Sequence, residues 1–111
     1  MSVEHRLAVY GTLAPGRSNH GQLAGLNGVW SHGTVRGTLH QAGWGAGEGY
    51  PGLTLDPEGA EVAVQVFTSS DLPAHWARLD AFEGTDYRRV AVTVIGPDGD
   101  AVETFIYAVS S

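Results

Sequence analysis

Apolar and β-prone residues alternate with polar ones at period two along most of the chain, and this pattern predicts six strands. They are Arg6–Tyr10, Gly33–Gln41, Gly52–Leu55, Val62–Thr68, Arg89–Ile95 and Val102–Val109. The run Gly96-Pro97-Asp98-Gly99-Asp100 reads as the turn of a hairpin joining the last two. In that hairpin Val90, Val92 and Val94 share one face, and Thr93 and Glu103 mark the solvated one. One segment switches to helical period. Leu72, Trp76 and Leu79 recur at i, i+4 and i+7, with Ser69-Ser70-Asp71 supplying N-cap candidates, Pro73 in the first turn and Gly84 placed as a C-terminal glycine. A weaker helical turn is predicted over His20–Leu26. The elements sum to an α+β class: a mostly β domain with a helix packed against a sheet or barrel.

Sixteen glycines interrupt this pattern, most densely in Gly43-Trp44-Gly45-Ala46-Gly47-Glu48-Gly49. Alternating glycine at that density packs poorly as a strand, so the segment is expected to be a mobile loop, either a lid over a pocket or a plain surface connection. No register of it yields G-x-G-x-x-G before a helix, and the chain shows no internal repeat.

Composition narrows the chemistry. The 111 residues are expected to form a single domain over 1–111, with enough buried surface for a core without staples. There is no cysteine, which excludes thiol nucleophiles, disulfides and cysteine metal sites and permits a reducing cytoplasm. All six basic positions are arginine, so P-loop and Schiff-base lysines are excluded too. A formal charge of −6 argues against a nucleic-acid footprint and against adhesion to anionic lipid. The early apolar run Leu7–Tyr10 is far shorter than a membrane span or a signal peptide. A soluble, cytoplasmic protein is expected, with its oligomeric state open.

One residue conflicts with its position. Eleven residues beyond Leu72, a helix has turned to within about 20° of its starting direction, and that position is Glu83. A carboxylate there faces two costs, the negative end of the helix dipole and partial burial, and both raise its pKa toward the range useful to a general base or acid. Periodicity alone makes Glu83 a candidate, because a helix-terminal carboxylate turned to solvent satisfies the same pattern. Asp80, three residues earlier, lies off the stripe as a flank or a partner. A second feature is Val9-Tyr10-Gly11-Thr12-Leu13, where a strand ending in a sharp turn can expose backbone N–H groups to a carboxylate or an oxyanion.

Taken together, Tyr10-Gly11-Thr12-Leu13 with Gly16 and Asn19, Tyr50-Pro51-Gly52-Leu53, and Leu79-Asp80-Ala81-Phe82-Glu83-Gly84 before Tyr87-Arg88-Arg89-Val90 resemble the gamma-glutamylcyclotransferase-like family. Phe105-Ile106-Tyr107 is similar to that family's last core strand. The likeness is to the compact bacterial and gamma-glutamylamine cyclotransferase type. It implies a small mixed β-barrel with flanking helices, Glu83 as the catalytic residue, and substrate bound by backbone N–H groups of Gly11, Thr12 and Leu13 beside Tyr10, Tyr87 and Tyr107. The implied reaction releases 5-oxoproline from a gamma-glutamyl amine or amino acid by intramolecular aminolysis, and it requires no metal, cofactor or covalent nucleophile.

Other chemistry is poorly supported. His5, His20, His32, His40 and His75 show no metal-ligand spacing, and no G-x-S-x-G elbow accompanies the serines. Trp30 and Trp76 are expected in the core, and Arg88 and Arg89 on the surface. Two functions remain: a cyclotransferase-type enzyme, or a non-catalytic small-molecule-binding module of the same fold.

Overall fold

The computed structural model describes residues 3–10, 23, 25–44, 50–83 and 87–109. Six strands follow in chain order: β1 (Arg6–Val9), β2 (Val29–Trp44), β3 (Tyr50–Leu55), β4 (Ala60–Thr68), β5 (Tyr87–Ile95) and β6 (Ala101–Val109). Between β4 and β5 lie a 3-10 turn, Leu72–Ala74, and a helix, α1, over Trp76–Glu83. Spatial order is β3-β2-β4-β1-β6-β5, and a further β2–β5 pairing at Thr34 and Ile95 closes the sheet. The result is a five-stranded barrel, with β3 attached to the flank of β2. Every pairing is antiparallel except β1 with β6, so the barrel is mixed.

Strand alternation sorts the side chains into two cores. Ala8, Val35, Val64, Val66, Val94 and Ile106 fill the barrel, with Val90 and Val92 packed against them as the hairpin pattern predicts. Their neighbours on the opposite face, Leu7, Val9, Phe67 and Tyr107, meet Leu72, Trp76 and Leu79 in a second cluster between barrel and helix. The helical stripe is therefore buried as expected. Thr93 and Glu103 sit opposite each other on the outer face of the hairpin and are hydrogen-bonded there. Trp30 stacks at a tilt on Phe67, with ring centroids 4.9 Å apart, in the outer cluster.

Three expectations need correction. The predicted single helix is broken at His75, because the residues after Pro73 close a 3-10 turn before α1 begins. Asp71 does not cap it with its side chain; its carboxylate instead accepts the Asn27 N–H at 2.8 Å. Ser69 is likewise part of a buried bridge, donating to the Asn27 carbonyl and accepting the Asp71 N–H at 3.0 Å. β2 is much longer than its alternation suggests, starting at Val29 and including Gly43 and Trp44, with a register shift between His40 and Trp44. Cross-strand pairing to β3 supplies hydrogen bonds that glycine's weak strand preference cannot outweigh. The remainder of the predicted glycine loop, 45–49, lies outside the described residues, as does most of the predicted turn over 20–26. Leu23 is described and is buried in the outer core.

Candidate active site

The final turn of α1, the end of β1 and the adjoining parts of β5 and β6 bring their polar side chains to one place. Leu79 is buried beneath α1, and this anchors the helix so that Asp80 and Glu83, one turn apart, both meet the barrel wall. Burial raises the Glu83 carboxyl from its ordinary 4.5 to about 7. The cause is desolvation.

Tyr10 stands at the end of β1. Its hydroxyl donates to the Tyr107 carbonyl at 2.6 Å and accepts the Leu53 N–H at 3.1 Å, joining β3 to β6. Burial pushes this phenol far above its ordinary value, the Leu53 bond opposes that, and the negative potentials of Tyr87 and Glu83 add to it. Tyr107 is buried on β6 and donates its hydroxyl hydrogen to Asp80 Oδ1 at 2.7 Å. Its phenol is also raised, by burial first and then by Asp80, with a further contribution from Glu83. Glu83 thus acts electrostatically on both Tyr10 and Tyr107.

Asp80 is the centre of a second arrangement. Arg89 approaches it as a fork, Nε to Oδ1 at 2.9 Å and an Nη to Oδ2 at 3.2 Å. The guanidinium lies 4.6 Å from the Trp76 ring and 4.5 Å from the Phe105 ring, two cation–π contacts that hold it in place. Desolvation works to raise the Asp80 carboxyl, but the hydrogen bonds from Arg89 and Tyr107 together with the Arg89 charge hold it below its ordinary value. Arg88 is exposed although it shares the phase of Val90, Val92 and Val94, whereas Arg89, on the opposite face beside Tyr107, is half-buried and paired, against the expectation of two surface charges.

Of the residues singled out from sequence, Glu83, Tyr10 and Tyr107 are brought together, and Tyr87 acts on Tyr10 from the start of β5. Gly11, Thr12 and Leu13 lie outside the described residues. Sequence reasoning missed the Asp80–Arg89–Tyr107 network and the role of the Leu53 N–H. The i−3 spacing of Asp80 from Glu83 was its only local signal. A cavity of about 540 Å³ is lined by Tyr10 with Val9, Gly33, Val64, Gln65 and Ile95 among others, and Glu83, Tyr87 and Tyr107 are not among its lining residues. Among the described residues no three His, Cys, Asp or Glu side chains are grouped to hold a metal ion.

A closed mixed barrel carrying a half-buried carboxylate at the end of its helix has a cyclotransferase-type fold. The chain belongs to the gamma-glutamyl cyclotransferase, AIG2-like family, whose pattern it matches over residues 7–111. An AIG2-like protein from Mus musculus superposes with a TM-score of 0.76 at 25% identity, covering 96% of this chain and 77% of that one. YkqA from Bacillus subtilis gives 0.73 at 26% identity, covering 96% of this chain but 36% of its own. An uncharacterized protein from Pyrococcus horikoshii shares the fold with a TM-score of 0.67 at 24% identity, over 96% of this chain and 78% of that one. No curated protein sequence matches the chain.

Proposed function

We propose that this chain is a gamma-glutamyl cyclotransferase-type enzyme that releases 5-oxoproline from a gamma-glutamyl amine or amino acid, with Glu83 as general base and then general acid. The observation that carries this reading is a carboxyl raised to about 7 among tyrosines, on a chain of this family. Near neutral pH such a group is divided between its two forms, so it can both take and return a proton.

The substrate's α-ammonium must lose a proton before its nitrogen can attack the γ-amide carbonyl. Attack forms the ring C–N bond and a tetrahedral intermediate; collapse breaks the C–N bond to the leaving amine. Two protons leave the attacking nitrogen in the course of the reaction, and the leaving amine takes up two and departs as an ammonium. Glu83 carries them in turn. The charge on the intermediate's oxygen calls for backbone donors, each typically worth about 3 kcal/mol, and the Gly11-Thr12-Leu13 run is where the family resemblance assigns them. Tyr10, Tyr87 and Tyr107 would line the substrate pocket.

The test is 5-oxoproline release from a panel of gamma-glutamyl amino acids, gamma-glutamyl amines and glutathione, run with wild type and Glu83→Gln. Turnover that falls by about a hundredfold or more in the variant supports the assignment, and the best substrate names the leaving group. A folded wild type without turnover, whose melting temperature nevertheless rises with one of these compounds, would instead be a binding module.

A further inference from the structure

Two phenols stand within the electrostatic reach of Glu83, and each has only one hydroxyl hydrogen to give. The hydrogen of Tyr10 goes to the Tyr107 carbonyl, and that of Tyr107 goes to Asp80. Neither is directed to Glu83. This matters chemically because a hydrogen bond donated to a carboxylate stabilises its charged form and weakens it as a base. The Tyr10 hydrogen is held by the backbone, which side-chain substitution does not remove. The Tyr107 hydrogen is held by a side chain, and that side chain is itself fixed by the Arg89 fork, whose guanidinium rests against the edge-to-face Trp76 and Phe105 rings.

We propose that Asp80, held by Arg89, is a positioning residue for Glu83: it captures the hydroxyl hydrogen of Tyr107 and ties the last turn of α1 to β5 and β6. Asp80 is hydrogen-bonded to Arg89 and Tyr107 and not to Glu83, and it acts through Tyr107. The inference rests on Glu83 being the base only for its functional meaning; the hydrogen-bond arrangement stands independently. The groups that bear on the titration are Tyr10 from the end of β1, Asp80 from α1, Tyr87 and Arg89 from β5 and Tyr107 from β6. Removing Asp80 would free both a hydroxyl hydrogen and a guanidinium, so the hydroxyl's share must be isolated by a paired substitution.

The experiment is a titration of the Glu83 side-chain carboxyl by ¹³C NMR in the full chain. Wild type should titrate near 7, and Tyr107→Phe should stay close to it, since the lost hydroxyl never served Glu83. Asp80→Ala should titrate at least about one pH unit lower, a tenfold change in ionisation. In Asp80→Ala with Tyr107→Phe the midpoint should climb back by a large part of that fall, because phenylalanine has no hydrogen to donate. Should the alanine variant not fold, Asp80→Asn keeps the side chain's volume and should show a smaller fall with the same dependence on the Tyr107 hydroxyl. An Asp80 variant that titrates like wild type, or single and double variants that titrate together, would overturn the proposal. Because the readout needs no turnover, an inactive chain that titrates in this pattern would defeat the enzymatic reading and leave this one standing. If the enzyme is active, the acidic limb of its kcat/KM profile should move with the titration.

Discussion

Glu83 has a cost to stability whose sign depends on pH. Its folded value of about 7 lies above the ordinary 4.5, so between those limits the folded chain holds a proton that the unfolded chain has released. Stability therefore declines as pH rises through this window, and the full cost, at most about 3 kcal/mol, is present above it. Glu83→Gln carries no such charge. Thermal melts should show the variant matching wild type near pH 4 and melting higher at pH 8, while the 5-oxoproline assay shows its activity lost. Asp80 has the opposite sign: with its carboxyl held low, the stability it contributes is present above its ordinary range and fades as pH falls through its folded value. Because Asp80 is nearly half exposed, that contribution is small. At this scale Glu83 was legible from sequence because its conflict is local, a carboxylate on an apolar stripe. The partners of Asp80 were not, since Arg89 and Tyr107 lie 9 and 27 residues away and no local period links them.

At the scale of elements, the stripe on α1 anchors the site through Leu79. Leu79→Ala should lower stability by about 3 kcal/mol, read as a shift in denaturant midpoint, with activity falling in parallel as the helix loosens. The β5–β6 turn depends on Gly99, whose φ of 84° suits glycine. Gly99→Ala should cost about 1 kcal/mol by the same measurement and leave 5-oxoproline release unchanged, the turn being remote from Glu83. Element types were readable because period two and period 3.6 differ over a few residues. Element ends were not: the extension of β2 to Val29 and Trp44 depends on partners contributed by other parts of the chain, and the break at His75 on a local 3-10 turn that the apolar spacing does not register. Asp71 has the chemistry of an N-cap and serves a different loop for the same reason.

For the whole molecule, closure is the decisive step. β2 pairs with β4 through nine registered residues but meets β5 at one, Thr34 with Ile95. Gly33 allows the approach: a Cβ there would lie 2.6 Å from the Ile95 carbonyl oxygen and 2.6 Å from Val94 Cγ1. Gly33→Val should therefore force this seam apart. We expect a loss of stability of about 2 kcal/mol or more, and amide exchange near Thr34 and Ile95 that accelerates well before exchange in the β2–β4 ladder. Among the described residues, no helix is long and apolar enough to cross a membrane.

The sequence by itself determined the kinds of element, the inward and outward sides of most strands, the buried stripe of the helix and the carboxylate that conflicts with it. These are properties of spacing along the chain, and physics fixes the spacing at 2.0 or 3.6 residues. Tertiary structure alone decided that β1 runs parallel to β6, that β2 meets β5 to close a barrel, and that Arg89 and Tyr107 converge on Asp80 beside Glu83. Those pairings join distant residues, and they are selected by which set of contacts buries the most apolar surface while leaving polar groups partnered.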